Sequence, residues 1–243
     1  MSEREKILGR IREALQVKAP HPGSHTASGT GVPPVRLFTS VLPANQSHTG
    51  KTPVPLRQWL PAVGKTSEEQ FELFARNAAD LKADFQLLPD RNAFAAALAK
   101  IRDTENWQRI ASHDGELTHF ACQSLRLPTL LTDQGYDVHA LEKCDAGITE
   151  CDALVAQTGG VAVTSRSAGG RALSILPPHH VVVARRDQLV ADLPAAFALL
   201  QQKYAPDYPS MIGFITGPSR TGDIERILVL GAHGPKKLTI LCV

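Results

Sequence analysis

Three apolar runs near the end of the chain constrain its fold more than any other feature: MIGFIT (211–216), RILVLG (226–231) and LTILCV (238–243). A strand with one wet face alternates apolar and polar residues. A run that is apolar throughout suits a strand covered on both faces, as in a parallel sheet packed between other layers. Further β-like runs precede them: FQLL (85–88), RIAS (109–112), LPTLLT (127–132), ALVAQ (153–157), VAVTS (161–165), ALSIL (172–176) and HVVVARR (180–186). Helical patterns lie between several of these. Ser67 and Gln70 read as a capping box ahead of a stripe of Phe71, Phe74, Ala78 and Leu81. Asp90 caps a second helix bearing Phe94, Leu98 and Ile101, and GELTHFACQSL (115–125) reads as a third. Pro194 would break a helix interior, so a fourth helix starts near Asp192 with the proline in its first turn. Strands alternating with helices predict an α/β fold, three layers (α/β/α) around a largely parallel sheet.

The chain divides into three parts. Ile7, Leu8, Ile11 and Leu15 share one stripe, which predicts a short amphipathic helix over residues 1–16. Residues 17–65 hold 8 of the 17 prolines and no period, which predicts an extended Pro/Gly-rich arm. Residues 66–243 make the α/β domain.

Several function classes drop out. With 26 basic and 24 acidic residues the net charge is +2, so no electrostatic field favours nucleic acid or an anionic membrane. The first twelve residues carry charges instead of an apolar core, unlike a secretory signal, and no stretch approaches the roughly 18 apolar residues of a membrane span. The expectation is a cytoplasmic protein. The four cysteines, Cys122, Cys144, Cys151 and Cys242, form no CxxC pair. No HxH or HExxH spacing occurs among the nine histidines. No metal site and no iron–sulfur cluster are expected in this chain. There is no GxxxxGK[ST], strand-linked GxGxxG or GxSxG either.

What remains is polar and rich in glycine. GPSRTGDIE (217–225) sits between two apolar runs. If a short helix begins near Thr221, the amides of residues 219–223 and Arg220 form an anion cradle. The alternative is a helix that caps itself through Ser219 or Thr221, with Asp223 and Glu225 complementing its dipole. HGP (233–235) lies between the last two strands, and QTGGVAVTSRSAGGR (157–171) contains two Gly-Gly pairs and two arginines. Gly159-Gly160 suits a hairpin turn between ALVAQ and VAVTS.

The segments TGG…GGRALSILPPHHVVV (158–183) and ITGPSRTGDIERILVLGAHGP (215–235) closely resemble the lactate-utilisation (LUD) domain family, in particular its LutC-like (YkgG-like) members. The likeness runs in order over residues 67–243. It implies a fold similar to the sugar-phosphate isomerase and CoA-transferase group (NagB/RpiA/CoA-transferase-like). It also implies an accessory role, without a cluster of its own, in an iron–sulfur system oxidising L-lactate to pyruvate, with partner subunits carrying the clusters. The motif positions are Thr158, Gly159, Arg171, Ser174, Pro177, Gly217, Pro218, Ser219, Arg220, Thr221, Asp223, Glu225, His233, Gly234 and Pro235. Together they predict an anion-binding rim, in which Arg171 and Arg220 supply charge and Ser219 and Thr221 orient the ligand. Gln157 stands where the family often has an acid, and Gly222 where alanine is common. The alternative is a stand-alone enzyme acting on a phosphorylated or CoA-linked small molecule, with His233 as acid–base group and Glu225 as carboxylate.

Overall fold

The computed structural model describes residues 62–224, 227–230 and 234–243. The helix expected over 1–16 lies outside them, as does the arm up to residue 61. The last residues assigned to the arm are part of the domain: Val63 packs against a buried cluster, and Gln70 Nε2 donates to Gly64 O at 2.9 Å.

Helix α1 (Ser67–Asp80) leads into β1 (Asp84–Leu87), then α2 (Arg91–Glu105), β2 (Ile110–Ser112), α3 (Glu116–Leu125) and β3 (Thr129–Leu131). Next come a short α4 (Val138–Glu142), β4 (Ala146–Thr149), β5 (Ala153–Val155), β6 (Gly160–Thr164), β7 (His179–Ala184) and β8 (Leu189–Val190). Helix α5 (Leu193–Tyr204), β9 (Ile212–Ile215), β10 (Arg220–Ile224), β11 (Ile227–Leu230) and β12 (Lys237–Cys242) complete the order. The central sheet has six strands in the order β1-β12-β7-β4-β2-β3, and every pairing in it is parallel.

Strand alternation splits the core. Val181 and Val183 of β7 and Leu241 of β12 face α2 and α3, where Phe94, Leu98, Leu117 and Leu125 are buried. Val182 and Ala184, with Leu238, Ile240 and Cys242, face the other way onto Phe74 and Ala78 of α1 and onto β5 and β6. The layer on that side is not purely helical. It is α1 beside a second, four-stranded sheet, β8-β5-β6-β9, in which β6 runs antiparallel to both neighbours.

Helix starts follow local chemistry. Asp90 and Asp192 accept from the third amide beyond them, and Pro194 sits in the first turn of α5. The first capping box is one residue earlier than Ser67/Gln70. Thr66 Oγ1 accepts from Glu69 N–H at 3.2 Å, and Glu69 Oε2 accepts from both Thr66 and Lys65. Gly115 has no side chain to cap α3, and Glu150 Oε1 takes the Leu117 N–H instead at 2.8 Å.

Three strand expectations change. Of the closing apolar runs only LTILCV joins the central sheet; MIGFIT supplies an edge of the second sheet, and RILVLG pairs with β10 in a separate hairpin. ALSIL is not a strand but a 3₁₀ turn over Ala172–Ser174. This segment crosses the face of the central sheet so closely that a Cβ on Gly147 would lie 2.3 Å from Leu173 O and 3.0 Å from Pro177. A segment pressed flat on a sheet face has no edge to pair with.

Candidate functional site

A cleft of about 560 Å³ opens near the starts of β7 and β12, on the side facing the second sheet. Its floor carries His180 and Leu238. Its walls are Ser174 and Ile175, the Phe214–Arg220 segment, Gly234 and Pro235, and Leu81 from the end of α1. The family-like motifs thus converge: Ser174, Gly217, Ser219, Arg220 and Gly234 all line one cavity.

Backbone contacts hold the rim. Ser219 N–H donates to Pro235 O at 2.9 Å, and a Cβ on Gly234 would meet Ser219 Cβ at 3.0 Å. Gly217 has φ +98°, and a Cβ there would lie 2.5 Å from Leu81 O. Gly217 is therefore required by both its backbone angle and the close approach, while Gly234 sits in tight contact with Ser219. Arg220 is exposed, and its Nη2 donates to the same Leu81 carbonyl, beyond the last turn of α1. That fixes one corner of a guanidinium with five N–H donors, leaving others for an anion. His180 is buried, with Nε2 2.9 Å from Thr149 Oγ1. Burial, and then the neighbouring His179, push its pKa down to about 3. At neutral pH it is an uncharged hydrogen-bonding group on the cleft floor.

Other rim positions fall elsewhere. Thr158 and Gly159 form the hairpin turn between β5 and β6 and do not line the cleft. Thr158 Oγ1 accepts from Gly160 N–H at 3.3 Å. Gly159, at φ +64°, presses on α1, where a Cβ would lie 2.5 Å from Ala78 N. Arg171 is exposed outside the cleft, and its carbonyl accepts from Ser174 Oγ at 3.0 Å. Thr221 and Asp223 are in strand β10, not at a helix start. Thr221 pairs with Val229 of β11, so the helix-terminus cradle expected at 219–223 is replaced by a hairpin with an irregularity between Thr221 and Ile224. The apolar run after the motif offers this segment a strand partner, which local capping signals do not register. Glu225 and His233 lie outside the described residues.

A second polar cluster has no counterpart in the sequence reading. Asp152, 3% exposed, accepts at Oδ1 from Lys203 Nζ and Tyr204 Oη, both at 2.6 Å, and at Oδ2 from Ser167 Oγ at 2.6 Å. Burial pushes the carboxyl up, but hydrogen bonds from Lys203, Ser167 and Tyr204 outweigh it and hold Asp152 below the usual carboxylate range. The cluster ties the 164–167 turn to the end of α5.

Among the described residues no group of three or more His, Cys, Asp or Glu side chains is placed to hold a metal. The thiols are buried or half-buried, and burial raises all four, Cys242 to about 12. They are protonated and unreactive at neutral pH.

The LUD domain family matches residues 132–243. "Lactate utilization protein C" of Anoxybacillus flavithermus is 35% identical over 107 residues, 44% of this chain and 47% of that protein. The protein of the same name from Geobacillus kaustophilus is 35% identical over 109 residues, 44% of this chain and 45% of its own length. The similarity thus spans a little under half of each relative. Among solved structures, a DUF162 family protein from Deinococcus radiodurans shares the fold, with a TM-score of 0.55 at 20% identity, over 74% of this chain and 99% of that one. Every cleft residue except Leu81 falls within residues 132–243.

Proposed function

We propose, from the match of residues 132–243 to the LUD domain family, that the protein serves lactate utilisation as a subunit without its own redox centre, binding a small carboxylate in the Arg220 cleft. The names of its relatives support the pathway. The iron–sulfur subunits that the family resemblance implies are the proposed partners. The observation that carries the reading is convergence: GPSR and GP, two motif segments apart in sequence, meet at one cleft with an exposed guanidinium and a neutral imidazole. A lactate or pyruvate carboxylate fits that set, through charge-assisted hydrogen bonds from Arg220 and a hydroxyl donor in Ser219.

The test is thermal unfolding in L-lactate, pyruvate and acetate at matched ionic strength, for wild type and Arg220→Ala. A ligand at about 100 times its dissociation constant stabilises by about 2.7 kcal/mol. The expected result is a shift with lactate or pyruvate that Arg220→Ala abolishes. No shift with any carboxylate would remove the ligand and leave protein docking as the role of the rim.

A further inference from the structure

A second cleft, of about 360 Å³, lies at the starts of β1, β12 and β7, lined by α2. Four lysines line it, Lys82, Lys100, Lys236 and Lys237, against two acids, Asp84 and Glu105. Lys237 Nζ and Glu105 neutralise each other, with both carboxylate oxygens at 2.6 Å. Asp84 is held by Gln86 Nε2 at 2.9 Å. Lys82, Lys100 and Lys236 have no ion-pair partner among the described residues, so the cleft carries surplus positive charge.

Two further observations point the same way. His179 lines the cleft and is 5% exposed. Its Nε2 sits 2.9 Å from Thr239 Oγ1, while its Nδ1 is buried without a hydrogen-bond partner among the described residues. The charges acting on the ring are Glu105, Lys237 and Asp84, all residues of this cleft. Burial lowers His179 to about 4, so the ring is neutral and can present Nδ1–H if Thr239 donates to Nε2. The other observation is Lys82. It follows α1 at φ +66°, with its N–H on Ala79 O and that of Ala83 on Ala78 O, the closing bonds of a Schellman turn. Glycine is the residue this position favours. Lysine here costs stability and puts an ammonium-bearing side chain at the cleft.

We propose that this cleft binds a phosphate dianion, either free phosphate or the phosphate of a small phosphorylated molecule. Lys82, Lys100 and Lys236 supply the charge, and His179 Nδ1 finds its missing partner in a phosphate oxygen, directly or through one water. The site is a different cavity from the Arg220 cleft, with Leu238 lining both, and is independent of the carboxylate reading.

The experiment measures thermal unfolding of the full chain with inorganic phosphate and, separately, with glycerol phosphate, against chloride at matched ionic strength. Variants are Lys82→Gly, His179→Asn and Arg220→Ala. Lys82→Gly is the decisive one, because its two effects have opposite sign. Relief of the left-handed backbone raises the ligand-free midpoint by about 2 °C. Loss of the ammonium weakens phosphate binding about tenfold. His179→Asn weakens binding, and Arg220→Ala leaves it unchanged. A stronger shift with the ester than with the free ion identifies a phosphorylated molecule, and the reverse identifies phosphate itself. The proposal is overturned if neither probe shifts the midpoint, if Lys82→Gly binds like wild type, or if Arg220→Ala removes binding.

Discussion

The ammonium of Lys203 lies 2.6 Å from the carboxylate of Asp152, joining the last turn of α5 to the loop between β4 and β5. Asp152 is almost wholly buried, and Tyr204 and Ser167 complete its shell. Replacing it with alanine strands three donors. Asp152→Ala is expected to cost about 3 kcal/mol, the lower end for breaking a buried pair because Lys203 is half exposed. Urea unfolding measures this, and a loss below about 0.5 kcal/mol would mean that water replaces the carboxylate without penalty.

The same carboxylate and the two histidines predict acid destabilisation in two windows. His179 and His180 are depressed to about 4 and about 3 in the folded chain. The unfolded chain titrates them near 6.5, so between those values it binds more protons than the folded state. Their contribution is complete above about pH 6.5 and shrinks below it, by about 1.4 kcal/mol per pH unit for each histidine until its folded value is reached. Asp152 is also depressed when folded, so its contribution is full above about pH 4 and lost only below that. Denaturation midpoints from pH 7.5 to 3.5 give the profile. A His180→Gln variant should flatten the upper window, and an unchanged slope there would rule out His180 as a source of it.

Gly147 is a point where one backbone segment crosses another. With Leu173 O 2.3 Å from the added carbon, Gly147→Ala must lift the 172–177 segment off the sheet. The expected cost is about 3 kcal/mol, at the upper end for overpacking, together with loss of ligand response in the Arg220 cleft, because Ser174 and Ile175 move. Calorimetry gives the first quantity and ligand titration the second. A stable variant with normal ligand response would contradict the crossing geometry.

Gly217→Ala tests the rim itself. Its φ of +98° and the 2.5 Å approach to Leu81 O both oppose a side chain. A loss of about 1–3 kcal/mol is expected from backbone strain. Gly135, also at positive φ but with no described residue within 4 Å of an added Cβ, is the control. Gly135→Ala should cost about 1 kcal/mol from conformation alone, and equal losses at the two sites would remove the role of the Leu81 contact.

Local chemistry was legible in the sequence where a residue acts on its own neighbours. Asp90, Asp192 and Pro194 mark helix starts because their effects reach only three residues. The first cap was misplaced because T-x-x-E and S-x-x-Q overlap at Thr66 and Ser67, and the pattern does not say which hydroxyl turns inward. The segments holding Gly217, Ser219, Arg220 and Gly234 stood out through the family-like motif, but that they line one cleft depends on the fold. The state of Thr221 was not, because its strand depends on pairing with Val229. The Asp152 cluster was invisible, since its partners are 15, 51 and 52 residues away and none belongs to a known spacing.

The strand order carries a consequence for how the chain is made. In β1-β12-β7-β4-β2-β3, the strands from residues 132–243 occupy the middle, while β1 caps one edge and β2 and β3 the other. The region that matches the LUD family is therefore no self-sufficient folding unit: cut at residue 132, it would present raw β12 and β4 edges to solvent. The earlier half is equally dependent, because Asp84 finds Thr239 as its ladder partner only after about 155 further residues have been made. Until then the apolar faces that its helices turn to β7 and β12 stay uncovered, which exposes that surface in the nascent protein.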